Sequence, residues 1–494
     1  MATSLRRGLA LWVILLLGPA SGSIAAGEDA AAGERAAAAE DTFAPFIWTF
    51  TGALSLEPDV LAPEKLRLYD SLRFTIDYRY DFLHAAAALR MINDGKYTPA
   101  HGSYTLGHYF LLETGGLALD FDSLTVKAGR FEHQDAVESP YSLFISSESL
   151  PAMLADVDFH GGLLTYQSRW IRLNHRSALG YRDRGANYKL VAFNVGDFRF
   201  GVQESAVYVD RSFDLEYFAS PMPYIFTQIS MKSSGKPWYE EGNDNTLMGL
   251  FFDWRRPESY LYAQWLLDDI NLEFLVPEFL KPILNPAKIP QKMAWSVGGS
   301  YAFPFGTLGL YHAGATKYVF AATQASSSYS DWPYEYAYYP AVEYTLRDGT
   351  PMTLHYLDNY IGYKYGENNI AFLLDYTPCL PGIDLHASLE YVISGSKSPA
   401  NPWHEYRYVT DTDRKTKLLD DDTLEHTVST RVGVSWRWRN LVLFTHLLLG
   451  GVFNELELEE AVAGEPKIFR PQAGVNRFLY GWTVGLTHYI ELGR

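Results

Sequence analysis

The stretch Ser71-Leu72-Arg73-Phe74-Thr75-Ile76-Asp77-Tyr78-Arg79-Tyr80-Asp81-Phe82 decides the fold class. Leu72, Phe74, Ile76, Tyr78, Tyr80 and Phe82 fall on one face, and Arg73, Thr75, Asp77, Arg79 and Asp81 on the other. A period of two marks a β-strand with one apolar face. The alternation lasts twelve residues. Soluble strands run to about five or six, whereas a strand crossing a bilayer at a tilt needs about nine to eleven.

The same period returns along the chain. Leu164, Tyr166 and Trp170 oppose Thr165, Gln167 and Arg169, and Phe198, Phe200 and Val202 oppose Arg199, Gly201 and Gln203. Leu385 to Ile393, Val432 to Trp438 and Tyr480 to Ile490 repeat it, with turn-forming runs such as Asn93-Asp94-Gly95 and Arg347-Asp348-Gly349 between segments. A soluble two-layer β-protein can show this period too. Strand length and aromatics near strand ends favour a transmembrane antiparallel β-barrel, whose girdles are aromatic and whose lumen is polar. At about 25 to 28 residues per strand and its connection, 16 to 18 strands fit, and bacterial barrels favour even counts.

Composition narrows the class. The chain has 494 residues, 15% of them aromatic, enough apolar surface to rule out disorder. Its 41 basic and 58 acidic side chains give a net charge of −17, which repels nucleic-acid phosphate. Mean hydropathy is −0.13, too low for a bundle of membrane helices. The lone Cys379 has no disulfide partner in the chain. At the N-terminus, Arg6 and Arg7 precede the apolar run Leu9 to Leu17, and Ser23-Ile24-Ala25 offers small residues for cleavage. This is the three-part pattern of a secretory signal. Residues 1–25 therefore read as a signal peptide, 26–42 as an Ala- and Glu-rich leader, and 43–494 as the barrel.

Between two strands, Pro277, Pro282, Pro286 and Pro290 punctuate Val276 to Lys292, with Glu278-Phe279-Leu280-Lys281 between the first two. This predicts a small helical insert that caps or plugs the barrel. Catalytic and metal patterns are missing: there is no Gly-x-Ser-x-Gly elbow, no His-Glu-x-x-His and no phosphate loop. Asp411, Asp413 and Asp422 suggest a calcium loop, but Lys415 and Thr416 stand where a ligand and Gly are needed. The sequence therefore predicts no enzyme, no cofactor and no metal.

Several pieces in order resemble the capsule-assembly (Wzi-type) outer-membrane family. Val126 to Phe131, with Gly129-Arg130, ends a strand and leads through a loop to Ser142-Leu143-Phe144-Ile145-Ser146-Ser147 and Pro151. Phe200 to Ser205 looks like that family's strand ending in a Glu, here Glu204. Asn245 to Gly249 and Leu261 to Asp269 carry Gln264, Asp268 and Asp269, and Lys292 to Gly298 follows. The family often has Trp-Gly-Pro soon after Gly-Arg; here Glu132-His133-Gln134-Asp135 stands instead. The resemblance covers about residues 120 to 300. It implies a barrel of about eighteen strands, a small helical part, lectin-like binding of surface polysaccharide, and neither catalysis nor a cofactor.

Read on their own chemistry, Arg130 at a strand end is expected to meet a carboxylate, and Asp268-Asp269 to hold an Arg or cap a helix. Arg73, Asp77, Arg79, Arg431, Arg437 and Arg439 are expected as lumen charges that line a pore or close a network with Asp81 and Glu390. Trp332, Tyr334, Tyr336, Tyr338 and Tyr339 crowd a Ser- and Pro-rich loop. Aromatic faces stack on sugars and Tyr hydroxyls bond them, so these five are candidate polysaccharide contacts; the alternative is an interfacial girdle. The expected protein is an outer-membrane barrel that binds or organises surface polysaccharide, or else a porin-like channel for small solutes. Its partners would be outer-membrane lipid, surface polysaccharide and the barrel-insertion machinery.

Overall fold

The computed structural model describes residues 46–58, 66–93, 104–105, 107–147, 151–176, 182–231, 244–269, 291–320, 343–345, 351–353, 360–397, 416–459 and 468–492. Eighteen antiparallel strands close into a barrel. They are β1 (Phe46–Pro58), β2 (Leu66–Tyr80), β3 (Leu83–Ile92), β4 (His108–Phe121), β5 (Leu124–Phe131), β6 (Ala152–His160), β7 (Leu164–Asn174), β8 (Arg184–Val195) and β9 (Phe198–Val209). They continue as β10 (Asp244–Arg256), β11 (Ser259–Asp269), β12 (Lys292–Phe303), β13 (Gly306–Ala315), β14 (Asn369–Pro378), β15 (Ile383–Ser394), β16 (Glu425–Trp438), β17 (Leu441–Phe453) and β18 (Asn476–Leu492).

Each strand pairs with its chain neighbour. β18 pairs back onto β1 with Thr51 opposite Thr487, whose hydroxyls lie 3.0 Å apart. Closure leaves the barrel sheet without an edge, which is what lets its strands sit in a medium that cannot hydrogen-bond to them.

The alternation read from the sequence sets which side faces out. On β9, Phe198, Phe200 and Val202 are exposed, while Gln203 and Ser205, of opposite parity, are buried. On β16, Val428, Trp436 and Trp438 are exposed on the outer face. An apolar exterior around an inner wall rich in polar side chains inverts the soluble pattern and excludes the soluble β-protein.

The two ends differ. Eight connections have two to four residues, such as Asp81–Phe82, Asp122–Ser123 and Gly196–Asp197, and both chain ends of the barrel lie at the same end. Asp81 and Asp122 take positive φ (48° and 42°), as tight hairpin turns demand. The strand read over Ser71 to Phe82 therefore starts earlier, at Leu66, and stops at Tyr80. The nine opposite connections run from seven residues (59–65) to fifty-three (316–368). Short turns and long loops segregate this way in outer-membrane barrels, with the long loops outside the cell.

Two helices, α1 (Leu215–Ala219) and α2 (Tyr224–Met231), follow β9. Asp214 caps α1, accepting from the Glu216 and Tyr217 amides. The expected helical insert from Pro277 to Pro290 lies outside the described residues, as do residues 1–45.

Candidate functional site

β5 and β6 are the shortest barrel strands, at eight and nine residues. The chain between them therefore leaves the wall early and turns into the lumen. Gly129 permits this exit: its φ is +138°, and a Cβ there would meet the Gly115 carbonyl oxygen at 2.4 Å. Arg130 holds the return, donating to the Pro151 carbonyl at 2.6 Å rather than to a described carboxylate.

The neck of this inward loop is a two-stranded clasp in which Gln134 bridges Ser146 and the Ser147 amide donates to the His133 carbonyl at 2.8 Å. Burial, then the nearby Arg169 guanidinium, pushes the His133 imidazole down to about 3, so it is neutral. The Ser147 hydroxyl lies 3.1 Å from His133 Nδ1. This enclosed pair serves the clasp.

Below the neck, Asp135 organises the loop. Its carboxylate accepts from the Leu143 and Phe144 amides at 2.8 and 3.1 Å and from Gln264 Nε2 at 2.9 Å. Burial pushes its carboxyl up to about 6 against the pull of these donors. The wall supplies further anchors. Arg169, paired with Asp156 at 2.7 Å, donates to the Gln134 carbonyl at 3.0 Å. The Ala136 amide donates to Gln203 at 2.9 Å, and Arg199, paired with Asp253 at 2.6 Å, also donates to the Ala136 carbonyl. Glu138 pairs with Arg255 near the short-turn end. The loop thus descends from mid-height almost to the short turns. A cavity of about 480 Å³ beside its tip is lined by Asp135, Glu138, Asp197, Asp253, Arg199 and Arg255 among others, and its acidic and basic groups largely pair with one another.

A second segment, Tyr360 to Asn368 ahead of β14, meets the first inside the barrel. The Ser146 amide donates to the Ile361 carbonyl at 2.7 Å. Gly362 lies against Leu143 so closely that a Cβ would stand 2.2 Å from its carbonyl oxygen. Leu143, Phe144, Ile145, Ile361 and Tyr363 are buried together, with Leu247 and Phe251 of the wall. The lumen along β7 to β15 therefore holds a small hydrophobic core, where porins hold water. On the remaining wall, from β16 through β18 to β4, inward residues such as Thr51, Ser55, Arg73, Arg90 and Arg431 stay partly exposed.

The charges expected in the lumen sit as follows. Arg73 pairs with Glu113 of β4 at 2.6 Å, a partner the local pattern gave no means to choose, and Arg79 pairs with Asp77 at 3.2 Å. Arg431 pairs with Glu390 at 3.3 Å. Arg437 is on β16, while Arg439 is in the Arg439–Asn440 turn, its guanidinium 5.4 Å from the Trp438 ring centre. Asp81 is also in a turn.

Of the family-motif positions, Gly129, Arg130 and Gln264 converge on the inward loop. Asp268 lies 3.7 Å from buried Lys292, which is also opposite Asp269 in register. Glu204 is elsewhere: by parity with Phe200 and Val202 it faces outward, beneath α2, whose Tyr224 amide donates to it at 3.1 Å. β9 does not end there but continues to Val209. The aromatic loop residues Trp332, Tyr334, Tyr336, Tyr338 and Tyr339 lie outside the described residues. Sequence reasoning missed Tyr141, Asp135 and Lys364; the apolar run Leu143-Phe144-Ile145 within a long loop was the signal of a buried segment.

The closed antiparallel barrel of eighteen strands decides the comparison. This is the fold of Wzi. The chain aligns with Escherichia coli Wzi, described as an outer-membrane protein involved in group 1 capsule assembly and a carbohydrate-binding β-barrel, with a TM-score of 0.52 and 11% identity over 90% of this chain and 85% of Wzi. Two Pseudomonas aeruginosa proteins align less well than Wzi. OccK8 (OprE) gives a TM-score of 0.45 at 9% identity, covering 91% of this chain and 98% of its own. OccK2 (OpdF) in complex with glucuronate gives 0.45 at 8%, covering 91% and 97%. No family model matches the chain, and no curated protein matches its sequence.

Proposed function

We propose that this protein is a non-enzymatic outer-membrane barrel that binds or organises surface polysaccharide at its long-loop end. The observation that carries the reading is the interlock of two inward loops around a hydrophobic core at mid-height. A barrel built mainly to conduct gains nothing from a hydrophobic core in its lumen; one that presents loops to the cell surface gains rigidity. Wzi, which shares the fold, is described as carbohydrate-binding. The protein would reach the membrane through a signal peptide over residues 1–25 and the barrel-insertion machinery, with the aromatic loop around Trp332 as the sugar contact.

One observation favours a porin-like second reading. The inner wall of β18 and β1 carries small, partly exposed side chains (Gly481, Thr483, Thr51, Ser55), which leave room beside the core. Planar-bilayer conductance of the purified protein, measured together with its retention of capsular-type polysaccharide, tests both. Retention with little or no conductance supports the proposal, and a large steady conductance without retention replaces it by the channel.

A further inference from the structure

The outer face of β7 to β10 breaks the rule of an apolar exterior. Above Phe198, Phe200 and Val202, the outward positions of β9 and its neighbours become Glu204, Lys189, Asn187, Ser168 and Asp244. All five are buried, because α1 and α2 lie over them. Lys189 donates to the Met222 carbonyl at 2.5 Å and stands 4.0 Å from the Tyr224 ring centre. Ser168 donates to the Phe218 carbonyl at 2.6 Å, and Tyr217 to Asp244 at 2.7 Å. The helical pair is thus fastened to the outside of the wall, from mid-height to the long-loop end.

Its other side is apolar. Leu215, Met222 and Phe226 are more than half exposed, and Phe213 and Ile225 nearly as open. From Leu215 to Met231 the only charged residue is Glu216. A surface helix in water carries its polar face outward; here the polar groups of the pair turn to the wall and its apolar side chains turn away from it, as on a lipid-facing surface. The height of the band identifies what encloses it. A lipid-facing band about 25 Å tall, on strands tilted about 40° and rising about 3.4 Å per residue, takes about ten residues of each strand. On β17, apolar outward positions run from Leu441 to Phe453. On β9, the exposed ones stop at Val202, about 10 Å above Phe198 by the same spacing. The missing height is where the helices lie, and their open side chains continue from Val202, Met248 and Leu250.

We infer that α1 and α2 form an intramembrane patch, seated in the acyl chains of the outer leaflet, that completes the barrel's lipid-facing band over β7 to β10. The inference rests on the outer-membrane reading of the barrel. Its test is lipid quenching of single-site labels. In full-length protein carrying Cys379→Ser, an environment-sensitive fluorophore is placed at Phe226→Cys or Met222→Cys, at Leu250→Cys in the strand band, and at Asp122→Cys in a short turn. The proteins are reconstituted in phosphatidylcholine vesicles with and without brominated acyl chains, and heat-modifiable migration selects folded barrels.

The expected result is blue-shifted emission at 226 and 222, quenched to within about twofold of Leu250, with Asp122 unquenched. If Leu250 is quenched while 226 and 222 respond like Asp122, water or another molecule covers the helices and the inference is wrong. Shielding of 226 and 222 from both water and bromine points to a second copy and also overturns it. If Leu250 itself is not quenched, the membrane reading fails with it.

Discussion

Tyr141, on the inward loop, reaches across the lumen to donate its hydroxyl to Glu390 of β15 at 2.9 Å. Glu390 also takes Lys364 at 3.1 Å and Arg431 at 3.3 Å. One carboxylate thus ties together the first inward loop, the second inward segment and the far wall. Burial, then the Glu390 charge, pushes the Tyr141 phenol well above its ordinary value, so it remains a donor.

Glu390→Gln should loosen this junction. It leaves Lys364, only 11% exposed, beside a neutral amide. Losing a charged hydrogen-bond partner costs about 1.5 to 3 kcal/mol. The expected outcome is a lower urea midpoint and larger, noisier bilayer conductance. Conductance identical to wild type would show that the junction does not govern the lumen.

Gly362→Val should separate the two inward segments while sparing the wall. The new Cβ would meet the Leu143 carbonyl, which is backbone and cannot swing away. Limited proteolysis should cut within residues 132–151 at a rate several-fold above wild type, while the heat-modifiable band remains. Unchanged cleavage would contradict the interlock.

Asp135 supplies a pH dependence. Its native carboxyl is raised from 3.8 to about 6 by burial, so the folded protein holds this proton more tightly than the unfolded chain. Its stabilising contribution is full below about pH 4 and falls as pH rises through about 6. Denaturation midpoints measured from pH 4 to 7 should show this decline in wild type, and Asp135→Asn should flatten that part of the profile. A wild-type midpoint that climbs over the same range by this group's account would reverse the assignment.

The aromatic loop separates sugar contact from girdle. Replacing Trp332 and Tyr334 by Ala should weaken polysaccharide retention by about 1 to 3 kcal/mol per aromatic, taking base stacking as the nearest measured analogue. The folded barrel should persist. Lower stability in lipid with unaltered retention would assign the residues to the interface.

The sequence by itself determined the barrel. Period-two patterning over segments longer than a soluble strand is local information, and Leu72 to Tyr80 carries it without help from any distant residue. Placing apolar residues outward then follows from the solvent. The tertiary structure alone decided what fills the lumen. Whether Arg73 meets Asp77 or Glu113, or whether the loop after Arg130 projects outward or turns in, depends on which strands closure sets side by side. Glu113 is 40 residues from Arg73, and Glu390 is 249 from Tyr141. The same limit hid the helices: Glu204 looks like a strand-end acid until α2, some twenty residues on, is seen lying over it. Local periodicity reports the solvent on each face of a strand; pairings across a closed barrel are set by register and long-loop paths, which leave no periodic trace in the chain.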